Sequence, residues 1–381
     1  MVFLSKRPGL CWLALPLLFA APALVRAEVA LEERVAALEK QLAALAAENA
    51  ALREAAKPAK DAAVAVVAGG KESKLIVGGL IQLHAETGDA PDSRFAGIND
   101  RFLVRRARLN LRGSFGRDFG FKLESDFGAG TLGASTAYRA QLTDAYVEWT
   151  AHSATQLRLG QFKTPFGWEQ LMADPANPFV ERSLPNDRLT VGRQIGAMLF
   201  GHTADRRLDY SAGLFNGNGV NNSNNDSDDF MLAARVGALA WQGEIQGRPA
   251  RWNIGVNAFA DDGATRRTGF GVDTQVELAA LTLRAEWLAN TLDPATGADT
   301  DSDGWSLAAL WNFNDAWQLA ARYETYDPNT AIGGNHTDTL TLGLNWFIRR
   351  QDVALSLDYV AGDARLGGND DRVLGRLQVI F

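Results

Sequence analysis

Between residues 102 and 115, Arg106, Arg108 and Arg112 alternate with Ala107, Leu109 and Leu111. A guanidinium keeps its charge at any relevant pH, and its planar fork matches the oxygens of carboxylates and phosphates. The same parity recurs downstream. Lys122 alternates with Phe121 and Leu123, and Arg158, Arg235, Arg284, Arg322 and Arg376 fall on the polar side of similar stretches. Lining a pore, such cations raise the local anion concentration and set selectivity. Carboxylates share that face, among them Glu124, Asp126, Asp144, Glu148, Asp273, Glu277, Glu286 and Asp358. Ion pairs that brace a barrel wall use the same residues, so both readings stay open. A further set of cations, Lys163, Arg182, Arg188 and Arg193, sits in the connection 162–192 and at the residue just after it. At roughly thirty residues this segment is too long for a structureless loop. Pro165, Pro175, Pro178 and Pro185, together with Phe166, Trp168, Leu171, Phe179 and Leu184, give it the composition of an ordered one. Folded into a lumen it presents its cations to a passing solute; as a lid it covers the mouth.

Other chemistry is thin. His84, His152, His202 and His336 are scattered through regions that read as loops or turns, and none belongs to an HExxH pair. Neither a GxSxG elbow nor a phosphate-binding Walker loop occurs. Asp299, Asp301, Asp303 and Gly304 open like an EF-hand, but its twelfth position falls on Leu310, so the segment reads as a solvated loop, with calcium as the alternative. Residues 218–229 read the same way. The single cysteine, Cys11, lies in the leader described below, which leaves no thiol for a disulfide, a metal or a nucleophile. No catalytic residue, metal or cofactor is therefore expected. A barrel hydrolase needs a Ser/His pair at one rim that these histidines do not supply. Lys6, Arg7 and Arg26 would leave with the leader, taking the formal net charge from −7 to −10, a balance that speaks against nucleic-acid binding.

The elements that must position these residues follow from periodicity. Residues 1–27 have a basic start, an apolar run at 10–18 and a small-residue cleavage site at Val25-Arg26-Ala27. They read as a signal peptide, with the mature chain starting at Glu28. A membrane anchor is the alternative, and Pro16 and Pro22 cut it short. Residues 28–56 predict a periplasmic helix whose seam is Leu31, Val35, Leu38, Leu42, Leu45, Asn49 and Leu52. That heptad pattern fits a parallel oligomeric coiled coil, with a lone amphipathic helix as the alternative. Residues 57–73, Ala-rich with Pro58, read as a linker.

From Lys74 to Phe381 the period is two. Sixteen strand-like stretches start near residues 74, 102, 119, 139, 156, 193, 208, 230, 252, 270, 281, 304, 316, 338, 352 and 371. Short connections alternate with long ones, as in an outer-membrane barrel; the connection 241–251 is longer than that scheme wants. Trp149, Trp241, Trp252, Trp311, Trp317 and Trp346 fall near the short turns, where an interfacial girdle belongs. No apolar run after residue 27 is long enough for a membrane helix, so a membrane form must be a closed barrel. Phe381 ends a strand with Leu377 and Val379 on one face, a pattern similar to the signal read by the barrel assembly machinery. The expected fold is an all-β, 16-stranded antiparallel transmembrane barrel in outer-membrane lipid, behind a short coiled coil. Its expected function is a passive water-filled channel. A structural or adhesive envelope protein is the reading from another class.

At this point the chain resembles the phosphate-selective porin O and P family over most of residues 74–381. The likeness is carried by Arg105-Arg106-Ala107-Arg108-Leu109, by residues 116–126, and by Asp144-Ala145-Tyr146-Val147-Glu148. It continues through residues 159–167 (Leu-Gly-Gln-Phe-Lys-Thr-Pro-Phe-Gly) and Glu181-Arg182-Ser183-Leu184-Pro185 to the final Phe381. The resemblance implies a homotrimer of 16-stranded barrels with the third extracellular loop folded inward. It also implies small anionic solutes such as phosphate, bound by an arginine ladder and a lysine cluster. Arg106, Arg108 and Arg112 stand at plausible ladder positions. The lysine cluster has no counterpart, since after residue 70 only Lys71, Lys74, Lys122 and Lys163 occur, and only Lys163 lies in the third loop.

Overall fold

The structure, a computed structural model, describes residues 65–66, 73–129, 138–227, 229–263, 265–362 and 370–381. The predicted leader and the coiled-coil seam lie outside the described residues. Sixteen antiparallel strands form the barrel: β1 (Lys74–Gly88), β2 (Arg101–Phe115), β3 (Phe119–Asp126), β4 (Gln141–His152), β5 (Thr155–Lys163), β6 (Arg193–His202), β7 (Leu208–Phe215) and β8 (Met231–Ile245), then β9 (Arg248–Asp262), β10 (Thr265–Leu278), β11 (Leu281–Pro294), β12 (Thr300–Asn312), β13 (Trp317–Asp327), β14 (Thr337–Gln351), β15 (Val353–Gly362) and β16 (Asp371–Ile380). Each strand pairs with its neighbours in sequence, and β16 returns to β1 from Arg372↔Gly88 to Ile380↔Leu80. Closure leaves no unpaired edge, which a sheet surrounded by hydrocarbon requires. The short stretch Ala65–Val66 extends the β1 side of this seam, opposite Leu75 and Ile76.

Side-chain parity is inverted relative to a water-soluble sheet. On β14, Leu340, Leu342 and Trp346 are 40–49% exposed, while Thr339, Thr341 and Asn345 between them are 1–2% exposed. On β15, Leu355, Leu357 and Tyr359 face outward and Ser356 and Asp358 inward. An apolar exterior around a polar interior is the arrangement hydrocarbon imposes. At the turn end Trp317 stacks on Trp346 with centroids 5.4 Å apart, and Phe115 stacks on Phe119 at 5.1 Å. The aromatic belt expected from the tryptophan spacing is there. Gly79 admits no side chain, because a Cβ would lie 2.3 Å from the ring of Phe381. Phe381 in turn donates to the Gly79 carbonyl at 3.2 Å and accepts from its N–H at 2.8 Å.

Three boundaries differ from expectation. Strands β8 and β9 extend to a tight turn at Gln246 and Gly247, both with positive φ. A register shift at Trp252/Asn253 had masked their alternation. The long connection read at 241–251 is therefore a hairpin, and the even strand count stands. Strands β11 and β12 likewise run to Pro294 and from Thr300, so Asp301, Asp303 and Gly304, read as part of a solvated loop, lie in sheet. The histidines are not all in loops: His84 is mid-strand in β1, while His152 and His202 end β4 and β6.

Candidate functional site

The connection 164–192 folds into the lumen. Thr164 closes its neck, donating to the Gly192 carbonyl through N–H at 3.0 Å and through Oγ1 at 2.9 Å. Within it are a short helix α1 (Trp168–Leu171), a 3₁₀ turn (Asp174–Ala176) and a second helix α2 (Leu184–Leu189). Pro185 stands in the first turn of α2, and Ser183 caps it by accepting from Asn186 N–H at 3.2 Å, a combination that starts a helix abruptly. Apolar burial draws the loop inward. Phe166 is fully buried, edge-on to Phe259 at 4.7 Å. It shares a cluster with Phe162, Leu189, Met198, Phe215, Met231 and Leu288, all inside the barrel. Phe179 packs on Leu310 and Ala320. Val180 joins Phe95 and Ile98 of the first loop against Val360 and Leu374. Gly304 of β12 leaves room for Pro185, which a Cβ there would approach to 2.9 Å.

A loop inside a barrel still carries backbone donors and acceptors that must be paired, and the wall supplies the partners. Glu286 accepts from Trp168 N–H (2.5 Å) and Glu169 N–H (3.1 Å), Asp358 from Val180 N–H (2.7 Å), and Glu324 from Leu184 N–H (3.0 Å). Arg376 donates to the Phe179 and Asn177 carbonyls at 2.8 and 2.9 Å, Arg322 to that of Glu181 at 3.1 Å, and Asn345 to that of Pro178 at 2.8 Å. Several wall charges thus hold the loop and do not face the passage.

The remaining charges concentrate where the loop meets β2 and β5. Asp174 is the hub. Arg106 lies 3.4 Å from it and Arg182 2.6 Å, and Arg108 bridges it to Asp126. Lys163 donates to the Met172 carbonyl nearby at 2.8 Å. Burial works to raise the Asp174 pKa, but Arg106, Arg108, Arg182 and Lys163 hold the carboxyl well below the usual carboxylate range. Glu181 behaves alike. Burial pushes it up, Arg105 at 2.6 Å and Arg106 pull it down further, and it stays ionised. A second cluster joins Arg193 (2.7 Å) and Lys122 (2.5 Å) to Asp144.

The other predicted residues distribute unevenly. Arg158 pairs with Glu148 at 2.8 Å and lies over the rings of Tyr146 and Phe200. Arg235 is forked onto Asp273 at 2.5 and 2.8 Å. Arg284 lies over Trp168 and donates to Gln275. Arg322 is buried on Glu324 at 2.6 Å. Arg188, in α2, donates to Ser93 Oγ at 2.9 Å. Arg112 is exposed near the turn end.

Sequence parity missed Arg105, because a register shift at Gln82/Leu83 lets Arg105 and Arg106 both point inward. It also missed Arg94 of the first loop, which donates to the Arg182 carbonyl and to Asp187 at 2.7 and 2.8 Å. The start of the segment 218–229, read as solvated, is anchored inside the mouth together with Gly217. Gly219 N–H donates to Gln194 and Asn221 N–H to Gln161, both at 2.7 Å, and Arg267 donates to the Gly217 carbonyl at 2.8 Å.

A closed barrel with a lipid-compatible exterior, a polar lumen and an inward-folded loop defines the class: an outer-membrane channel of the porin type. The family model for phosphate-selective porin O and P matches residues 77–249 and 239–381, and the chain belongs to that family. Solved structures agree on the fold. The outer membrane channel DcaP of Acinetobacter baumannii is 14% identical, with a TM-score of 0.60 over 82% of this chain and 99% of its own. OmpT of Vibrio cholerae in its trimer form is 12% identical, with a TM-score of 0.59 over 81% and 100%. An anion-selective porin from Comamonas acidovorans is 16% identical, with a TM-score of 0.55 over 81% and 100%. A comparison with curated sequences gives no match.

Proposed function

We propose that this porin passes small hydrophilic solutes with a preference for anions, phosphate among them, and that it works as a homotrimer. The observation that carries the anion reading is the convergence of Arg106, Arg108 and Arg182 on the single carboxylate of Asp174, with Lys163 alongside. Cations outnumber acids at the point where the inward loop narrows the lumen, and a low-dielectric wall strengthens their field. Arg106, Arg108 and Arg182 are the selectivity elements around Asp174, with Lys163 and Arg193 at the loop's two ends. The Comamonas neighbour, itself described as anion-selective, and the family's description support this reading, and the trimeric OmpT supports the assembly. Reconstitution in a planar bilayer under a KCl gradient tests it. The reversal potential should favour chloride, and Lys163→Gln with Arg193→Gln should lower the chloride/potassium permeability ratio. The effect should be larger at 0.1 M than at 1 M salt, because screening lengths fall from about 10 Å to about 3 Å. A cation-favouring potential in the unaltered channel refutes the proposal.

A further inference from the structure

The guanidiniums at the constriction are arranged around an oxyanion, and that oxyanion is part of the chain. Both oxygens of the Asp174 carboxylate are engaged. Oδ1 lies 2.6 Å from Arg182 Nη1 and 3.4 Å from Arg106 Nη2, and Oδ2 accepts from Arg108 Nη1. Arg106 and Arg108 come from β2, Arg182 from the second half of the inward loop, and Lys163 from the end of β5. Among the described residues, Asp174 is the one carboxylate within 4 Å of Arg106 and of Arg182, and Lys163 has none at that distance. Arg108 alone has others, Asp126 at 2.8 Å and Glu124 at 3.8 Å. Arg106 and Arg182 are buried, and a buried charge left without its partner is costly. Without Asp174 this cluster would draw an anion from solution, since the forks of arginine match carboxylate and phosphate oxygens alike.

The turn that brings Asp174 in is held largely by the same cations. Elsewhere along the loop, wall side chains secure the backbone at 168–169, 177–181 and 184. Between Met172 and Ala176 the wall reaches the backbone at two points. Lys163 donates to the Met172 carbonyl at 2.8 Å, and Gln378 reaches the Pro175 carbonyl over a long 3.4 Å. Arg182 shares the Met172 carbonyl at 3.0 Å. The remaining bonds close the turn on itself, from Ala176 N–H to the Ala173 carbonyl and from Asn177 N–H to that of Asp174. Ala173, next to the carboxylate in sequence, is exposed. A carboxylate seated by charge contacts on a short turn is one that an anion of matching shape can exchange with.

We infer that Asp174 is a tethered competitor: the loop inserts its own carboxylate into the cation site of Arg106, Arg108, Arg182 and Lys163, and an oxyanion crosses the constriction by displacing it. This rests on the anion preference proposed above and supplies a reason for weak binding. The solute never meets the bare cations, so it leaves as readily as it enters, which conduction requires.

The test is block of chloride current by inorganic phosphate in planar bilayers at fixed ionic strength. In Asp174→Asn the half-blocking phosphate concentration should fall at least ten-fold below the parent's. Asp174→Glu, which keeps a carboxylate on the turn, should stay within three-fold of the parent. Variants are compared only when heat-modifiable gel migration shows closed barrels. A second measurement needs no variant. Saturating phosphate should speed hydrogen exchange at amides 176 and 177 of the parent at least five-fold and leave the wall-held amides 180 and 184 unchanged. An Asp174→Asn channel with the parent's half-blocking concentration overturns the inference, as does an equal fall in Asp174→Glu or unaltered exchange at 176 and 177. Reversal potentials keep the two readings apart. An anion-selective parent that fails these tests loses the competitor but keeps its preference, whereas a cation-selective parent loses the preference itself.

Discussion

Strict alternation would set Arg105 outward with Ala107 and Leu109, yet it is buried in the lumen, and the reason is local. With one extra residue at the Gln82/Leu83 register shift, β2 places two consecutive guanidiniums in the lumen, and the first of them neutralises Glu181 through a two-pronged contact at 2.6 and 3.1 Å. Breaking a buried pair by removing one partner costs about 3–5 kcal/mol. Because Glu181 is held below its ordinary range, its contribution to loop docking is complete above that range and is lost only as pH falls through the depressed value. The parent channel should therefore give quiet current from pH 8 down to pH 4. Arg105→Gln removes the main counterweight to burial and raises the Glu181 pKa, so the sign reverses. Loop noise should be high at pH 8 and subside on acidification toward pH 5, when the carboxyl protonates. Single-channel recordings across that pH range check it; a variant as quiet as the parent at pH 8 would refute the role given to Arg105.

At the scale of elements, the inward loop is held less by its own helices than by wall side chains that complete its backbone. Glu286 accepts from two consecutive N–H groups at the start of α1. An unsatisfied buried donor costs about 1–3 kcal/mol. Glu286→Ala should accordingly leave the barrel closed but speed hydrogen exchange at amides 168–170 by at least ten-fold, as measured by mass spectrometry; unchanged protection there would argue against a wall-held loop. Much of this arrangement was legible beforehand. The two-residue period gave strand faces, the alternation of short and long connections gave the two ends, and the prolines and aromatics of 164–192 marked an ordered loop. The use of Glu286, Glu324, Asp358 and Arg376 was not legible, since a side chain that caps a loop backbone has the same parity as one that lines a pore. The connection 216–230 misled for another reason. Its Asn-rich sequence is what a solvated loop shows, and only the partners Gln161 and Gln194, distant in sequence, reveal that it turns inward.

For the whole molecule, these contacts imply that water does not fill the lumen evenly. Most of the loop's hydrogen bonds fall on β9, β11 and β13–β16, with ionic contacts to β2 and one bond from Lys163 at the loop end of β5. Across from them, Lys122, Glu148 and Arg158 keep roughly a quarter of their side chains exposed, against 5% or less for Arg322 and Arg376. The conducting path should then run off-axis, against β3–β5. The only cysteine in the sequence is Cys11, so single cysteines placed in the barrel report cleanly. Lys122→Cys and Glu148→Cys should react with a charged methanethiosulfonate within seconds and change the current stepwise, whereas Ser356→Cys, buried at 5%, should stay unmodified while the loop is docked. Combining Ser356→Cys with Glu286→Ala should make it reactive, because loosening the loop opens the wall it covers. If Ser356→Cys reacts as fast as Glu148→Cys in the unaltered background, the lumen is uniformly wet and the loop is not seated where its hydrogen bonds place it.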